Sequence, residues 1–149
     1  MTIVPYDKDY FDQYLKLHRK RVSDILGYVI RDLFHRSMAH DTVLMKEPLH
    51  DQLTRIWPLL HKGSISETDP EVRAILNKLN SSSDYHPAFH KDDFMGMTLI
   101  QYVEWLADFK AECAQDGVDP LTELSRRNDI PLDIRHILIN TLEDWRQIN

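Results

Sequence analysis

The stretch "TLIQYVEWLADFKAECAQDG", residues 98–117, predicts one amphipathic helix with a defined beginning and end. Thr98 is of a residue type favoured at the N-cap, and Gly117 follows the last residue that keeps the helical period. Apolar side chains recur at three- and four-residue steps, as in a helix that covers a core with one face. These side chains are Leu99, Tyr102, Val103, Leu106 and Cys113.

Similar helical signals fill the rest of the chain. Apolar residues at the same spacing predict a long helix over residues 8–38, with Gly27 as its only weak point. Further helices are expected to begin at Pro48, Asp69-Pro70, Asp119-Pro120 and Pro131. Only four glycines and little two-residue alternation leave few signals for hairpins. We therefore predict an all-α fold, a single compact domain of about six helices over residues 1–149.

The charge and cysteine content narrow the classes of partner and environment. Eighteen Lys and Arg against 24 Asp and Glu give a net charge of −6, and the basic residues are scattered apart from "HRKR" at residues 18–21. The chain therefore lacks the basic surface with which proteins bind a nucleic-acid backbone. Cys113 is the single cysteine, which rules out an internal disulfide and a cysteine-based zinc site and is typical of a reducing cytosol.

The sequence also lacks export and membrane signals. At the N-terminus, "MTIVPYDKDY" has no basic segment followed by an apolar one, as a signal peptide would have. No run approaches the roughly 18 apolar residues that a membrane span needs. We expect a soluble, cytoplasmic protein without a membrane partner.

Histidines and carboxylates supply the candidate ligands for a metal ion. Neighbouring helical residues point about 100° apart, so His40 and Asp41 share an ion only near a helix end, which is where the first predicted helix stops. Glu104 and Asp108 are four residues apart and share one helical face. The last candidates are His86 and His90, which flank "PAF" in a predicted loop.

Each of these candidates has a second interpretation. A His-Asp pair arises often by chance, and loop histidines commonly bond to the backbone. The spacing of Glu104 and Asp108 by itself favours a solvated helix face. His18 is predicted to be a partly buried core residue, because an unbroken helix would place it about 33 Å from His40. His35 and the pair His50-Asp51 are predicted to lie on helix surfaces.

Three stretches resemble an uncharacterised family of small helical proteins found in bacteriophages and prophages. They are "LHRKRVSDILGYVIRDLFHRSMAHD", "DYHPAFHKDDFMGMTLIQYVEWLADFKAE" and "TELSRRNDIPLDIRHILINTLEDW". The family pattern is a histidine, a His-Asp pair, a histidine-rich loop, a Gly-Met pair and an acidic helix. The matching residues here are His18, His40-Asp41, His86, His90, Gly96-Met97, Glu104 and Asp108. The chain departs from this pattern at Leu79 and Tyr85, which stand where the family tends to have histidine. A third departure is "TVLMKEP", which follows the His-Asp pair in place of the usual Ser-Lys.

The same elements resemble, more loosely, the HD-type metal phosphohydrolases. That resemblance implies an HD-like helical bundle that hydrolyses a nucleotide or a related phosphate ester. It implies a divalent metal ion held by His40, Asp41, His86 and Asp108, with Glu104 or His90 assisting proton transfer. The alternative is a non-catalytic phage accessory protein that binds a nucleotide signal or a host protein in the host cytoplasm. A third hypothesis is a helical homo-oligomer whose histidines are structural.

Overall fold

A computed structural model describes residues 8–148 of the protein as an all-α fold. This range holds six α-helices and four short 3₁₀-helices, and no strand occurs in it. The α-helices are α1 (Lys8–Ala39), α2 (Leu49–His61), α3 (Pro70–Asn80), α4 (Leu99–Asp116), α5 (Pro120–Arg126) and α6 (Leu132–Asp144). The 3₁₀-helices are Thr42–Met45, Pro87–Phe89, Asp93–Gly96 and Trp145–Gln147.

The predicted fold class and number of helices are confirmed. α3 and α5 begin at the predicted prolines, and α2 and α6 begin one residue after theirs. None of the helices in residues 8–148 is both long and apolar enough to cross a membrane. Residues 1–7, which hold most of the segment inspected for a signal peptide, lie outside the described residues, as does residue 149.

The chain divides into two compact units, with the break between Met38 and Ala39. The first unit consists, within the described residues, of α1 without its last residue. No residue of α1 is buried. The prediction that His18 is a core residue is therefore wrong: the side chain is exposed, and its ring stacks on Tyr14 with the ring centroids 6.0 Å apart.

The second unit has its core around α4. Trp105 meets the Phe94 ring edge to face at 5.1 Å and stacks on Phe109 at 5.3 Å. Such aromatic pairs contribute about 0.5–1.5 kcal/mol beyond the apolar area that they bury. The buried cluster comprises Phe94, Met97, Trp105, Leu106, Phe109, Cys113, Leu124, Ile130, Leu138 and Leu142.

The termini of α4 follow the predicted signals. The Thr98 side chain accepts a hydrogen bond from the Gln101 backbone N–H, and the Gln101 side chain accepts one from the Thr98 backbone N–H. This reciprocal capping satisfies two donors that a helix start leaves without helical partners. The helix ends at Gly117, whose φ of 69° lies in the left-handed region that favours glycine.

The buried face of α4 is rotated from the predicted one. Leu99, expected on the core side, has 72 % of its surface exposed, whereas Trp105 and Phe109 are buried. Both rings are large and mostly apolar, so the packing that covers them removes a large apolar area from water. Glu104 and Asp108 precede these rings by one residue each and therefore lie at the edge of the buried face.

The loop between α3 and α4 is held by side-chain contacts at both ends. The His90 Nε2 atom lies 2.7 Å from the Asp84 carbonyl oxygen, and the Asp84 carboxylate accepts a hydrogen bond of 3.1 Å from the Gln101 amide. Gly96 packs directly on His90, since a Cβ atom added at Gly96 would lie 2.9 Å from the His90 Cβ. This loop therefore needs glycine at position 96.

We predict that Gly96→Ala destabilises the second unit. The added methyl group must displace the His90 side chain, and overpacking of this kind costs about 1–3 kcal/mol. The free energy of unfolding in urea measures the effect. Gly27→Ala is the matched control, because a Cβ there meets no atom within 4 Å and should not lower the stability. Equal stability of Gly96→Ala and wild type would contradict the close contact.

Candidate metal site

His40 and Asp41 lie where the chain leaves α1. The helix ends at Ala39, and Asp41 takes a left-handed conformation with φ of 60° before the 3₁₀-helix Thr42–Met45 begins. Aspartate tolerates this conformation better than most residues other than glycine. The turn leaves the Asp41 Oδ1 atom 3.6 Å from the His40 Nε2 atom. The two side chains thus meet at a helix end, as ligands of one ion would need to.

Two carboxylates of α4 approach the two ring nitrogens of His40. The Nδ1 atom lies 3.1 Å from Glu104 Oε1, and the Nε2 atom lies 3.1 Å from Asp108 Oδ1. The Glu104 side chain is only 10 % exposed and that of Asp108 is 24 % exposed. The prediction of a solvated helix face is therefore wrong for these two residues, because one turn of α4 presents both carboxylates to the same imidazole.

Tyr85 completes the surroundings of His40. Its ring centroid lies 4.7 Å from that of His40, and its hydroxyl donates a hydrogen bond of 3.3 Å to Asp41 Oδ1. Sequence reasoning noted Tyr85 only as a residue that stands in place of a histidine. Its position next to His86 in a histidine-rich loop is the one feature of the sequence that could have marked Tyr85 as part of the site.

Negatively charged side chains outnumber positively charged ones around His40. Burial lowers the pKa of His40, but the hydrogen bonds that its ring donates to Glu104 and Asp108, together with the charge of Asp41, outweigh this effect, so the pKa is raised. Burial raises the pKa of Asp108 despite the opposing hydrogen bond from His40. Burial also raises the pKa of Glu112, one turn further along α4, and the charge of Asp108 adds to that effect. A bound cation would relieve this repulsion.

The geometry suits a divalent ion. Among the described residues, His40, Asp41 and Asp108 each offer a ligand atom, and these atoms lie within 4.8 Å of one another. Tetrahedral ligands about 2.0–2.2 Å from an ion lie roughly 3.3–3.6 Å from each other. His40 Nε2 lies 3.1 and 3.6 Å from the two carboxylates, close to these separations. Glu104 on the opposite ring nitrogen forms the carboxylate–histidine pairing that commonly orients a metal ligand.

The two loop histidines, His86 and His90, contact backbone groups of their own loop. His86 precedes the 3₁₀-helix Pro87–Phe89, and its Nδ1 atom accepts a hydrogen bond of 3.1 Å from the Ala88 N–H. His90 Nε2 contacts the Asp84 carbonyl oxygen. Within the part of the chain that the structure describes, neither histidine belongs to the converging group. The structure thus brings together three of the four predicted metal ligands, with Glu104 beside them.

No known family model, curated protein or solved structure matches this chain. The resemblance to a phage family and to HD-type phosphohydrolases therefore stays a prediction. The candidate site stands on the distances and charges around His40.

His86 gives a prediction for the dependence of stability on pH. Burial lowers the pKa of His86 in the folded protein, and the charge of Arg127 lowers it further. An unfolded histidine has a pKa of about 6.5, so the unfolded chain takes up a proton that the folded protein resists. The stability contributed by neutral His86 is present above pH 6.5 and is lost as the pH falls through the lower pKa of the folded state.

We expect His86→Asn to reduce this loss. Asparagine keeps an acceptor for the Ala88 N–H but does not titrate, so the free energy of unfolding should fall less between pH 7 and pH 5 than in wild type. The difference between the two proteins, measured by urea unfolding at each pH, isolates His86 from the other titrating groups. Parallel curves for the two proteins would show that His86 is not held neutral by the fold.

Proposed function

We propose that the protein is a divalent-metal-dependent phosphohydrolase whose ion is held by His40, Asp41 and Asp108. The observation that carries this proposal is the position of His40 between two carboxylates. With the Nδ1 proton donated to Glu104, the Nε2 atom is left free to bind an ion, and it faces Asp108 and Asp41. A histidine in this setting is oriented and tautomerically fixed for metal binding.

The number of protein ligands favours catalysis over a purely structural ion. Structural sites usually close the coordination sphere with four protein ligands, whereas catalytic sites use three and leave a position for water or substrate. Three converging ligand residues are found here among residues 8–148. When bound, the ion would polarise a phosphoryl oxygen and lower the pKa of a coordinated water.

The remaining residues of the site position the ligands. Glu104 is hydrogen-bonded to His40 and so orients the imidazole, rather than serving as the proton-transfer group suggested by the sequence. Tyr85 donates to Asp41 and packs against the His40 ring, which limits the rotation of both side chains. His90 contributes to the loop that carries Tyr85 and has no direct part in this proposal.

The phosphate-ester substrate is inferred from the resemblance to HD-type phosphohydrolases, and the charge of the site adds a condition. Asp41, Glu104, Asp108 and Glu112 together repel an anionic substrate. Only a bound cation would turn this repulsion of the substrate into an attraction. Hydrolysis is therefore expected to stop completely when the metal is removed, rather than to continue at a reduced rate.

The metal site is tested with Asp108→Asn, which keeps the shape of the side chain and removes its charge. We expect Mn²⁺ to bind chelator-treated wild-type protein and to bind this variant at least about tenfold more weakly. Isothermal titration calorimetry measures the affinity. A panel of nucleotides and bis(p-nitrophenyl) phosphate measures hydrolysis, which should fall to background in the variant and in wild type after chelation.

Asp116→Asn is the matched control for this experiment. Asp116 lies two turns beyond Asp108 on α4 and is exposed, so its substitution makes the same change of charge outside the site. It should bind Mn²⁺ as wild type does. Equal binding by both variants would refute the metal site, and metal binding without hydrolysis of any compound in the panel would refute the enzymatic function alone.

Glu104→Gln tests the positioning role separately. Glutamine can still accept a hydrogen bond from His40 Nδ1 but no longer supplies the charge that raises the basicity of the ring. The affinity for Mn²⁺ should fall about 10- to 100-fold, as for other partners of metal-bound histidines, while the number of ions bound stays the same. An unchanged affinity would show that Glu104 does not act through His40.

A further inference from the structure

Arg127 is a cation whose backbone and side chain are both fixed in place. Its backbone N–H donates a hydrogen bond to the Leu124 carbonyl oxygen at the end of α5, and its own carbonyl oxygen accepts one of 2.7 Å from Arg135 Nη1. Its Nε and Nη2 atoms donate to the two carboxylate oxygens of Asp129 at 2.7 and 2.6 Å. The guanidinium is therefore held in one orientation before any ligand binds.

The pairing with Asp129 leaves one edge of the guanidinium open. A guanidinium has five N–H donors, and Asp129 takes one from Nε and one from Nη2. Within residues 8–148, no group accepts a hydrogen bond from the Nη1 atom, and the Arg127 side chain is 37 % exposed. The edge formed by Nη1 and Nη2 has the spacing of two oxygens of one phosphate group.

His86 supplies another donor close to Arg127. Its Nδ1 atom accepts a hydrogen bond of 3.1 Å from the Ala88 N–H, so the neutral ring carries its proton on Nε2. Burial lowers the pKa of His86, and the charge of Arg127 lowers it further. Charges act on each other over about 10 Å at 0.1 M salt. The Arg127 guanidinium and the His86 ring therefore lie near each other.

Both donors are next to the candidate metal site. His86 directly follows Tyr85, whose hydroxyl and ring contact two of the residues that would surround the ion. The Arg127 guanidinium lies 5.8 Å from the centroid of the Trp105 ring. Trp105 precedes Asp108 by three residues, and side chains at this helical spacing are neighbours. Two different elements, the loop before α4 and the end of α5, thus bring a donor to the border of the site.

Glu112 lies between the candidate ion and Arg127. Burial and the charge of Asp108 raise the pKa of Glu112, whereas the charge of Arg127 lowers it. The pKa of Arg127 is raised by its hydrogen bond with Asp129 and by the charges of Asp129 and Glu112. Arg127 is therefore separated from Asp108 by about one side chain. A ligand that contacts both the ion and Arg127 must carry two anionic groups.

We propose that Arg127 and His86 bind the second phosphate of a substrate with two consecutive phosphate groups, such as a nucleoside diphosphate, while the ion binds the first. This inference rests on the proposed function, because the first phosphate is the one held by the ion. Asp129 offsets the charge of Arg127, so the two donors add direction rather than net positive charge. Binding of the substrate still requires the ion, and diphosphates are preferred over monophosphates.

Two phosphonates test this preference without any hydrolysis. Methylenediphosphonate carries two phosphoryl groups and methylphosphonate carries one, and neither has a P–O–C or P–O–P bond to hydrolyse. Isothermal titration calorimetry measures the affinity of each for the full chain, with Mn²⁺ kept in excess over the ligand so that chelation does not empty the site. We expect wild type to bind the diphosphonate at least about tenfold more tightly than the monophosphonate.

Arg127→Gln removes the charge and the open edge of the guanidinium. It should weaken binding of the diphosphonate by about 10- to 100-fold and leave binding of the monophosphonate unchanged. Arg126→Gln is the matched control, because Arg126 is 70 % exposed and pairs with Glu123. This control makes the same change of charge and should bind both phosphonates as wild type does.

His86→Asn tests the second donor. Asparagine keeps an acceptor for the Ala88 N–H and removes the Nε2–H donor. Binding of the diphosphonate should weaken by about 3- to 10-fold, as for the loss of a hydrogen bond between an uncharged donor and its ligand, and binding of the monophosphonate should not change.

The same titrations distinguish failure of this inference from failure of the proposed function. Equal binding of the two phosphonates by metal-loaded wild type would overturn the inference, and so would an equal loss of both in Arg127→Gln, even if the protein hydrolyses phosphate esters. Selective loss of the diphosphonate would support it even if no ester were hydrolysed. A wild-type protein that binds no Mn²⁺ would overturn the proposed function and this inference together.

Far-UV circular dichroism shows whether each variant is folded. If Arg127→Gln is not, Arg127→Lys takes its place, since lysine keeps the charge that pairs with Asp129 but has no planar fork. Lysine should still reduce the affinity for the diphosphonate by about tenfold. Wild-type affinity in Arg127→Lys would show that the open edge of the guanidinium does not bind the second phosphate.

Discussion

The contact of one imidazole with two carboxylates joins segments of the chain that are far apart in sequence. His40 is 64 residues before Glu104 and 68 residues before Asp108, yet both ring nitrogens lie 3.1 Å from a carboxylate oxygen. A partly buried charged group is costly unless it is paired, and the loss of one partner leaves the others uncompensated. This contact forms only when the turn after α1 places His40 against α4 and α4 is rotated so that both carboxylates face the ring. The loop that carries Tyr85 must also lie against His40.

The hydrophobic core determines the direction in which the carboxylates point. Trp105 and Phe109 pack into the core, and the residue before each of them is thereby placed at the edge of the buried face. The Arg127 guanidinium lies 5.8 Å from the centroid of the Trp105 ring and pairs with Asp129. The aromatic residues thus act on the site indirectly, because a change in their packing would turn Glu104 and Asp108 away from His40.

The sequence predicts the helices well because their ends carry local signals. Proline in the first turn, Thr98 at an N-cap and Gly117 after the last turn each act through the backbone within a few residues. Those signals do not depend on the rest of the fold. The starts of the helices in the second unit, and both ends of α4, could therefore be placed to within about two residues before the packing was known.

The packing is less predictable because periodicity identifies an apolar stripe but not what covers it. Leu99 belongs to the predicted stripe of α4 and is exposed, and the stripe of α1 is exposed along most of its length. His86 and His90 have the composition of a metal site, but the backbone of a tight loop provides nearer partners. Tyr85 could not be ranked from sequence, since a tyrosine in a loop carries no spacing signal of its own.

Gln101 shows how the angular position of α4 is fixed. It is the buried polar residue of this helix, and its amide is bonded both to the Thr98 backbone and to Asp84 across the loop. Gln101, Glu104 and Asp108 follow one another at steps of three and four residues, so all three side chains leave α4 on nearly the same side. Of its two contacts, the one with Asp84 leaves α4 and reaches the loop that carries Tyr85. One amide side chain therefore links the direction of the two carboxylates to the position of the tyrosine that binds Asp41.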